Sequence, residues 1–328
     1  MKSFVTGATG FLGSAVVRCL LDQGHSIRVL VRKGADLRNL ENLEVEKIEG
    51  GLEDREALEK GLTGTDYVFH VAADYRLWVP DPENMYRINV DATRNLMELC
   101  LQHKVKKIVY TSSVATLGIR EDGSPSDENT KATLEDMVGP YKRSKYLAEQ
   151  EVLGLIKEKN LPAVIVYPSA PVGPYDIKPT PTGRMILDAA AGKMPAYVDT
   201  GLNIVHVDDV AHGHWLALEK GAPGERYILG QEDMTLKAIL AEVAILTGRR
   251  PPLIRLPHNL VLPVAWLAEM FARLTGRSTN ITVDGVRLAK KKMFFSSDLA
   301  RIKLGYNPRP AKEAIKDAIR WFEENNYF

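Results

Sequence analysis

The chain has 328 residues, enough for one large α/β domain or for a dinucleotide domain carrying a smaller second lobe. Lys and Arg number 43 against 42 for Asp and Glu, so no charge excess points to nucleic acid. The densest basic run, Arg287 to Lys292, reads as a solvated helix end. The only cysteines, Cys19 and Cys100, lie in apolar-periodic stretches, which argues for core filling in a reducing, cytoplasmic compartment.

A first strand beginning at Ser3 leaves no room for a signal peptide. The strand SFVT runs into Thr6-Gly7-Ala8-Thr9-Gly10-Phe11-Leu12-Gly13 and straight into a helix over 11–23. Glycines at this spacing permit a tight turn and let backbone N–H groups approach a pyrophosphate, whose charge the helix N-terminus favours. Gly7, Thr9, Gly10, Phe11, Leu12 and Gly13 are therefore the expected phosphate cradle. The second strand, SIRVLV, ends at Arg32 and Lys33, with Arg38 close behind. An acid there would accept from a ribose 2′-hydroxyl, whereas these cations suit a 2′-phosphate, so the expected cofactor is NADP in preference to NAD.

Strands and helices go on alternating through VEKI, 54–61, 67–70, 84–103 and 108–111, which predicts a parallel sheet covered on both faces. Tyr141 and Lys145 form the chain's one YxxxK, and i, i+4 spacing puts them on one helix face. Chance supplies about one such pair in a chain of this composition. Its context is what matters: the pair opens a helix after Gly-Pro and follows a strand ending in Thr111-Ser112-Ser113. Moving a hydride to or from a carbinol carbon requires a proton to be given to or taken from its oxygen. Tyr141 is the expected proton carrier, Lys145 the ammonium that favours its phenolate form, and Ser113 the hydroxyl that orients the oxygen. Ser112 is the nearest alternative to Ser113.

After the strand AVIVY the rhythm loosens. Residues 1–167 read as the Rossmann domain, its sheet completed by later strands, and 168–328 as an interleaved, mostly helical substrate lobe with few strands. Helices are expected over 183–191, 210–220, 236–247 and 260–274. The run Leu260 to Leu267 contains Pro263 and is too short to span a bilayer, so no stable membrane insertion is expected. The stretch Leu256 to Leu274 reads as a packed helix, the alternative being a cap on a greasy substrate. His206 precedes Asp208 and Asp209, but reads as a strand residue beside a helix cap, and His212 and His214 fall on different helix faces. No metal is expected.

The pieces TGATGFLG, VFHVAA, INVDAT, YTSS, YKRSK, YPSAPVGP and VHVDDVA, in this order, resemble the extended short-chain dehydrogenase/reductase family, within the NAD-dependent epimerase/dehydratase superfamily. Within it the chain is most similar to the dihydroflavonol 4-reductase-like group and to bacterial proteins of the hopanoid-associated sugar epimerase type. The resemblance implies that Val71, Ala72 and Ala73 lie beside the cofactor's inner riboses. It also implies that Pro168 and Ser169 lie near the nicotinamide, with Thr111 in the same set, and that family members often pair as homodimers through the 84–103 and Tyr141 helices.

Three departures qualify it. Gly50-Gly51-Leu52 stands where relatives often carry an acid for the adenine, leaving Leu52 as an apolar platform. Ala92 replaces a frequent glycine. Gly201-Leu202-Asn203 lacks the arginine with which sugar-nucleotide epimerases grip a diphosphate. The expected function is thus an NADP(H)-dependent reductase or dehydrogenase acting on a small carbonyl or alcohol compound. One alternative is a nucleotide-sugar epimerase or dehydratase with Lys178 and Arg184 as phosphate ligands, and another is a non-catalytic NADP-binding regulator. Asp74, Tyr75, Trp78, Tyr175, Lys178 and Met185 are the expected substrate-facing positions, because loops at the strand ends meet the second lobe there.

Overall fold

The computed structural model describes residues 1–76, 79, 81–275 and 282–328; Trp78, expected at the substrate, lies outside the described residues. Seven parallel strands form the main sheet: β1 (Lys2–Thr6), β2 (Ser26–Val31), β3 (Val45–Glu49), β4 (Tyr67–His70), β5 (Lys107–Thr111), β6 (Ala163–Pro168) and, after three short strands, β10 (Arg226–Leu229). Their spatial order is β10-β6-β5-β4-β1-β2-β3. The order reverses at β1, which pairs with both β2 and β4. A reversal of this kind opens a crevice beyond the strands' carboxyl ends, and there the turns after β1 and β4 meet.

Helices cover both faces, so the strands are near-continuous apolar runs. On one face α1 (Phe11–Asp22) and α7 (Val207–Lys220) pack Val16, Leu20 and Val210 against Val5, Val29 and Val109. On the other, α2 (Arg55–Leu62), α4 (Ala92–Gln102) and α5 (Gly139–Lys159) pack Leu58, Leu96 and Val152 against Phe4, Val68 and Ile108. Cys100 belongs to this second core, and burial pushes the thiols of both Cys19 and Cys100 up. The helix expected over 84–103 is interrupted: α3 (Pro82–Tyr86) leads into a π turn at Arg87–Asp91 before α4 begins. The turn's extra residue carries Asn89 into the interior, at 2% exposure.

The second lobe has its own core, built by α6 (Pro181–Ala190), α8 (Leu236–Thr247) and α12 (Ala311–Glu324) against β7 (Ala170–Val172) and β9 (Gly201–His206). The remaining elements are β8 (Ala196–Val198), β11 (Glu232–Thr235), β12 (Ile254–Leu256), β13 (Lys292–Met293), α9 (His258–Thr275), α10 (Val283–Leu288) and α11 (Asp298–Leu304). The lobe is mostly helical but carries more strand than its sequence suggests. Runs such as APV and KM are too short to show a period of two. A second difference concerns α9. It was expected to pack, yet Leu260, Val264, Trp266, Leu267, Met270 and Phe271 are all exposed. The helix rests chiefly on α10, and among the described residues none of its side chains joins the three cores.

Candidate active site

The first turn is shaped by contacts that leave no room for side chains. Gly7 has φ +77°, and a Cβ on it would lie 2.6 Å from the Ala72 nitrogen. A Cβ on Gly13 would lie 2.0 Å from the Gly7 carbonyl oxygen. Glycine alone allows the end of β4, the turn and α1 to close to this distance. Gly10 caps α1 with no side-chain hydrogen bond, so the first N–H groups beyond it, at Phe11 and Leu12, are left for an anion. The Thr9 carbonyl accepts from Asn39 Nδ2 at 3.3 Å, and Thr6 Oγ1 lies 2.7 Å from His70 Nδ1, which fixes the two strand ends. Ser169, just beyond β6, has its Oγ buried close to Gly230 without a hydrogen-bond partner among the described residues. A glycine cradle and an open helix end together fit a dinucleotide.

The adenosine side holds a surprise. Arg32 and Lys33 are exposed, but Arg38 pairs with Asp36 at 2.7 Å, and that guanidinium holds the Asp36 carboxyl down to about 2. Lys178, expected at the substrate, instead lies close enough to Asp36 to add to that effect. Tyr327 neighbours Arg38 and donates to the Ile177 carbonyl at 2.7 Å, so the loop carrying Lys178 is tied to this end of the crevice. Leu52 is half-buried against the second core.

At the other end, α5 places Tyr141 in its first turn and Lys145 one turn later. Ser113 opposes the upward push of burial on the Tyr141 phenol, and its Oγ accepts from the Ala115 N–H at 3.1 Å. Ser112 points the other way, as alternation along an extended chain requires, and donates to Glu149 Oε2 at 2.5 Å. Lys145 is buried. Its amine donates to the Thr111 carbonyl at 2.8 Å and is pushed down to about 8 by burial, with Glu149 resisting. Its charge is felt by His70 and sits 5.0 Å from the Tyr110 ring centre. Thr111 has a positioning part, its carbonyl on Lys145 and its Oγ1 2.9 Å from His214 Nε2.

Three residues went unread in the sequence. Glu149, 4% exposed, also accepts from Thr116 Oγ1 and Tyr167 Oη, at 2.7 and 2.8 Å. Its i+4 spacing from Lys145 was the available signal. Asn89 grips the Asp74 backbone at 2.7 and 2.9 Å and donates to Ser144 Oγ at 2.9 Å, linking the β4 loop to α5. Asp176 is buried, accepts from Thr180 N and Oγ1, and is pushed up to about 6. Gly183 exists to admit it, since a Cβ there would lie 2.0 Å from Asp176 Oδ2.

The expected substrate positions separate. Asp74 binds Arg76, and Tyr75, 45% exposed, has its phenol raised by burial and by the charges of Asp176 and Asp74. Tyr175, at φ +71°, stacks 4.1 Å below the Arg18 guanidinium and near Trp321. Met185 packs on the second-lobe core. Neither Tyr175 nor Met185 is brought to Tyr141 by any contact among the described residues. A cavity of about 500 Å³ that was not anticipated lies just before Tyr141, lined by Tyr86, Met137, Pro140, Arg143, Asp284 and Arg287. His206 caps α7, accepting from the Asp208 N–H at 3.1 Å. Among the described residues no group of three potential metal ligands comes together.

A reversed parallel sheet with a glycine cradle at its switch point and a Ser-Tyr-Lys cluster beside it defines a dinucleotide-binding enzyme of the Rossmann class. Residues 3–230 match the NAD dependent epimerase/dehydratase family, and the chain belongs to that family. It is 43% identical to a provisionally named dihydroflavonol 4-reductase of Synechocystis sp., over 99% of this chain and 95% of that protein. It is 34% identical to Sterol demethylase protein B of Methylococcus capsulatus, over 99% of each. The crystal structure of gox2253 superposes with a TM-score of 0.89 at 55% identity, covering 98% of both chains.

Proposed function

We propose that the chain is an NADP(H)-dependent oxidoreductase interconverting a ketone or aldehyde with its alcohol, with Ser113, Tyr141 and Lys145 at the reacting oxygen. The observation that carries this reading is the pairing of Ser113 with the buried Tyr141 phenol, which Ser113 draws down against burial, while Ser112 is committed to Glu149. The nicotinamide, when bound, supplies or takes up a hydride. Ser113 Oγ holds the carbonyl oxygen, and Tyr141 Oη gives that oxygen its proton during reduction or removes it during oxidation. Lys145, held on Thr111, is suited to bind ribose hydroxyls and to pass a proton toward Tyr141. Gly7, Thr9, Gly10 to Gly13 and the Val71–Ala73 backbone would hold the dinucleotide, with Pro168 and Ser169 at its nicotinamide end. Residues 168–328 would supply most of the substrate site.

Relatives named dihydroflavonol 4-reductase and one named as a ketoreductase of a farnesylated dihydroquinoline-1-oxide support reduction of a carbonyl on a largely apolar molecule. The segment where an epimerase arginine would sit also supports it. Leu202 is packed, and Asn203 is buried on Asp233 and Phe295, so nothing there grips a diphosphate. Arg32, Lys33 and Lys178 support NADP, while Asp36 works against a 2′-phosphate unless Arg38 neutralises it.

The test is to incubate the protein with NADPH or NADH and a panel of ketones and aldehydes, and in parallel with UDP-sugars. Ketone-dependent loss of NADPH absorbance is expected. Epimerised sugar without net cofactor consumption would replace this reading with the epimerase.

A further inference from the structure

The face of α9 is inside out for a helix in water. Leu260, Val264, Leu267 and Phe271 follow i, i+4, i+7, i+11 spacing and make one stripe, flanked by Trp266 and Met270. All six are exposed, from 42% at Met270 to 66% at Leu260. The helix's one acid, Glu269, turns toward the protein and accepts from the Val283 N–H of α10 at 2.7 Å. The apolar stripe is thus directed outward along a helix about 27 Å long, and Leu253 and Ile254, just before it, are 87% and 60% exposed. Patches of this kind mark an interaction surface.

Charge selects the partner. His258 Nε2 lies 3.0 Å from the Ala289 carbonyl, which brings the segments on either side of the α9–α10 arm to the same end of α9. Those segments expose Arg249, Arg250 and Arg255 on one side and Lys290, Lys291 and Lys292 on the other. Asp199 pairs with Arg255 and Asp136 feels the charge of Lys291, while Arg249, Arg250, Lys290, Lys291 and Lys292 make no ion pair among the described residues. Apolar and aromatic side chains along a helix with cations at its edge are the composition that seats in the headgroup region of an anionic bilayer.

We infer that α9 docks this protein on an anionic lipid surface, lying in the interface without crossing it. Among the described residues no helix is long and apolar enough to cross. Docking would set the cavity at the start of α5 beside the lipid. α10 abuts the start of α5, where a Cβ on Gly139 would lie 2.8 Å from Asp284 Oδ2, and Asp284 and Arg287 line the cavity before Tyr141. The inference stands on exposure and charge, apart from the proposed reaction.

Flotation of the full chain with phosphatidylglycerol/phosphatidylcholine vesicles tests it, without cofactor or substrate, so a failure of the reductase reading leaves the result untouched. The protein should float with anionic vesicles and much less with pure phosphatidylcholine. Trp266→Ser with Phe271→Ser, and separately Lys290→Glu, Lys291→Glu and Lys292→Glu together, should each weaken binding about tenfold or more with an unchanged circular dichroism spectrum. Absence of flotation by the folded wild type would overturn the inference. So would a lipid-free dimer that the Trp266/Phe271 variant splits, since a second copy would then cover the face.

Discussion

Ser112 and Ser113 are neighbours with opposite commitments: Ser112 Oγ donates to the buried Glu149 carboxylate at 2.5 Å, whereas Ser113 Oγ accepts from the Ala115 N–H at 3.1 Å and draws the Tyr141 phenol down against burial. Extended backbone sends consecutive side chains to opposite sides, so the strand end supplies one serine to the core and one to the crevice. Ser113→Ala should therefore lower turnover by a factor of about 10² or more, while the lost cap on the Ala115 N–H costs about 0.5–2 kcal/mol of stability. Ser112→Ala should leave turnover nearly unchanged and cost about 1–3 kcal/mol in urea denaturation because a buried carboxylate loses a donor. Equal effects of both substitutions on turnover would remove the distinction.

Lys145 sets an alkaline limit. Burial lowers its amine to about 8, so it loses its proton above that pH in the free enzyme. The kcat/KM of carbonyl reduction should accordingly fall above pH about 8, approaching tenfold per pH unit. Stability has the opposite sign. Between the folded and unfolded values the unfolded chain binds more protons, so this group's contribution to stability rises with pH. Lys145→Met should remove that rise and most of the activity, and an unchanged alkaline limb in the variant's residual rate would show that another group controls it.

Much of this was legible in the sequence, and the parts that were not have physical reasons. The glycine turn was readable because close backbone approach demands particular residues at particular spacings, as Gly7 and Gly13 demonstrate. The sheet was readable because strands covered on both faces are written as apolar runs. Glu149 and Asp176 were not, since a buried acid looks like a surface acid until its donors are known. Lys178 was expected at the substrate because its loop leaves the strand ends. Its neighbours at the adenosine end, Asp36 and Tyr327, come from distant parts of the chain that no local pattern connects. The exposed stripe of α9 reads as core in sequence, because an apolar period says which face avoids water but not what covers it.

Asp36 and Lys178 make cofactor choice a balance. Asp36→Asn should release Arg38 and tighten NADPH binding severalfold while leaving NADH nearly unchanged, because only the 2′-phosphate feels the removed charge. Lys178→Ala and Arg32→Asp should both weaken NADPH selectively. Fluorescence titration with each dinucleotide measures the ratio. A ratio unmoved by all three substitutions would place the phosphate elsewhere.

Asp176 gives the sharpest dependence of stability on pH. Burial raises its carboxyl from the usual 3.8 to about 6, against the pull of the Thr180 N–H and hydroxyl. Between those two values the folded state binds more protons than the unfolded one, so stability contributed by this group falls as pH rises through the window. The full loss amounts to about 3 kcal/mol, the free energy of a displacement of that size. Asp176→Asn keeps an acceptor for Thr180 and removes the titration. Other carboxylates here are lowered and act with the opposite sign, Asp36 and Glu46 among them, so only the difference between wild type and variant isolates Asp176. Urea denaturation at pH 4.5 and 7 should show the variant gaining on the wild type by about 2–3 kcal/mol across the interval. Parallel stabilities at both pH values would mean that Asp176 is ionised throughout and that burial does not govern it.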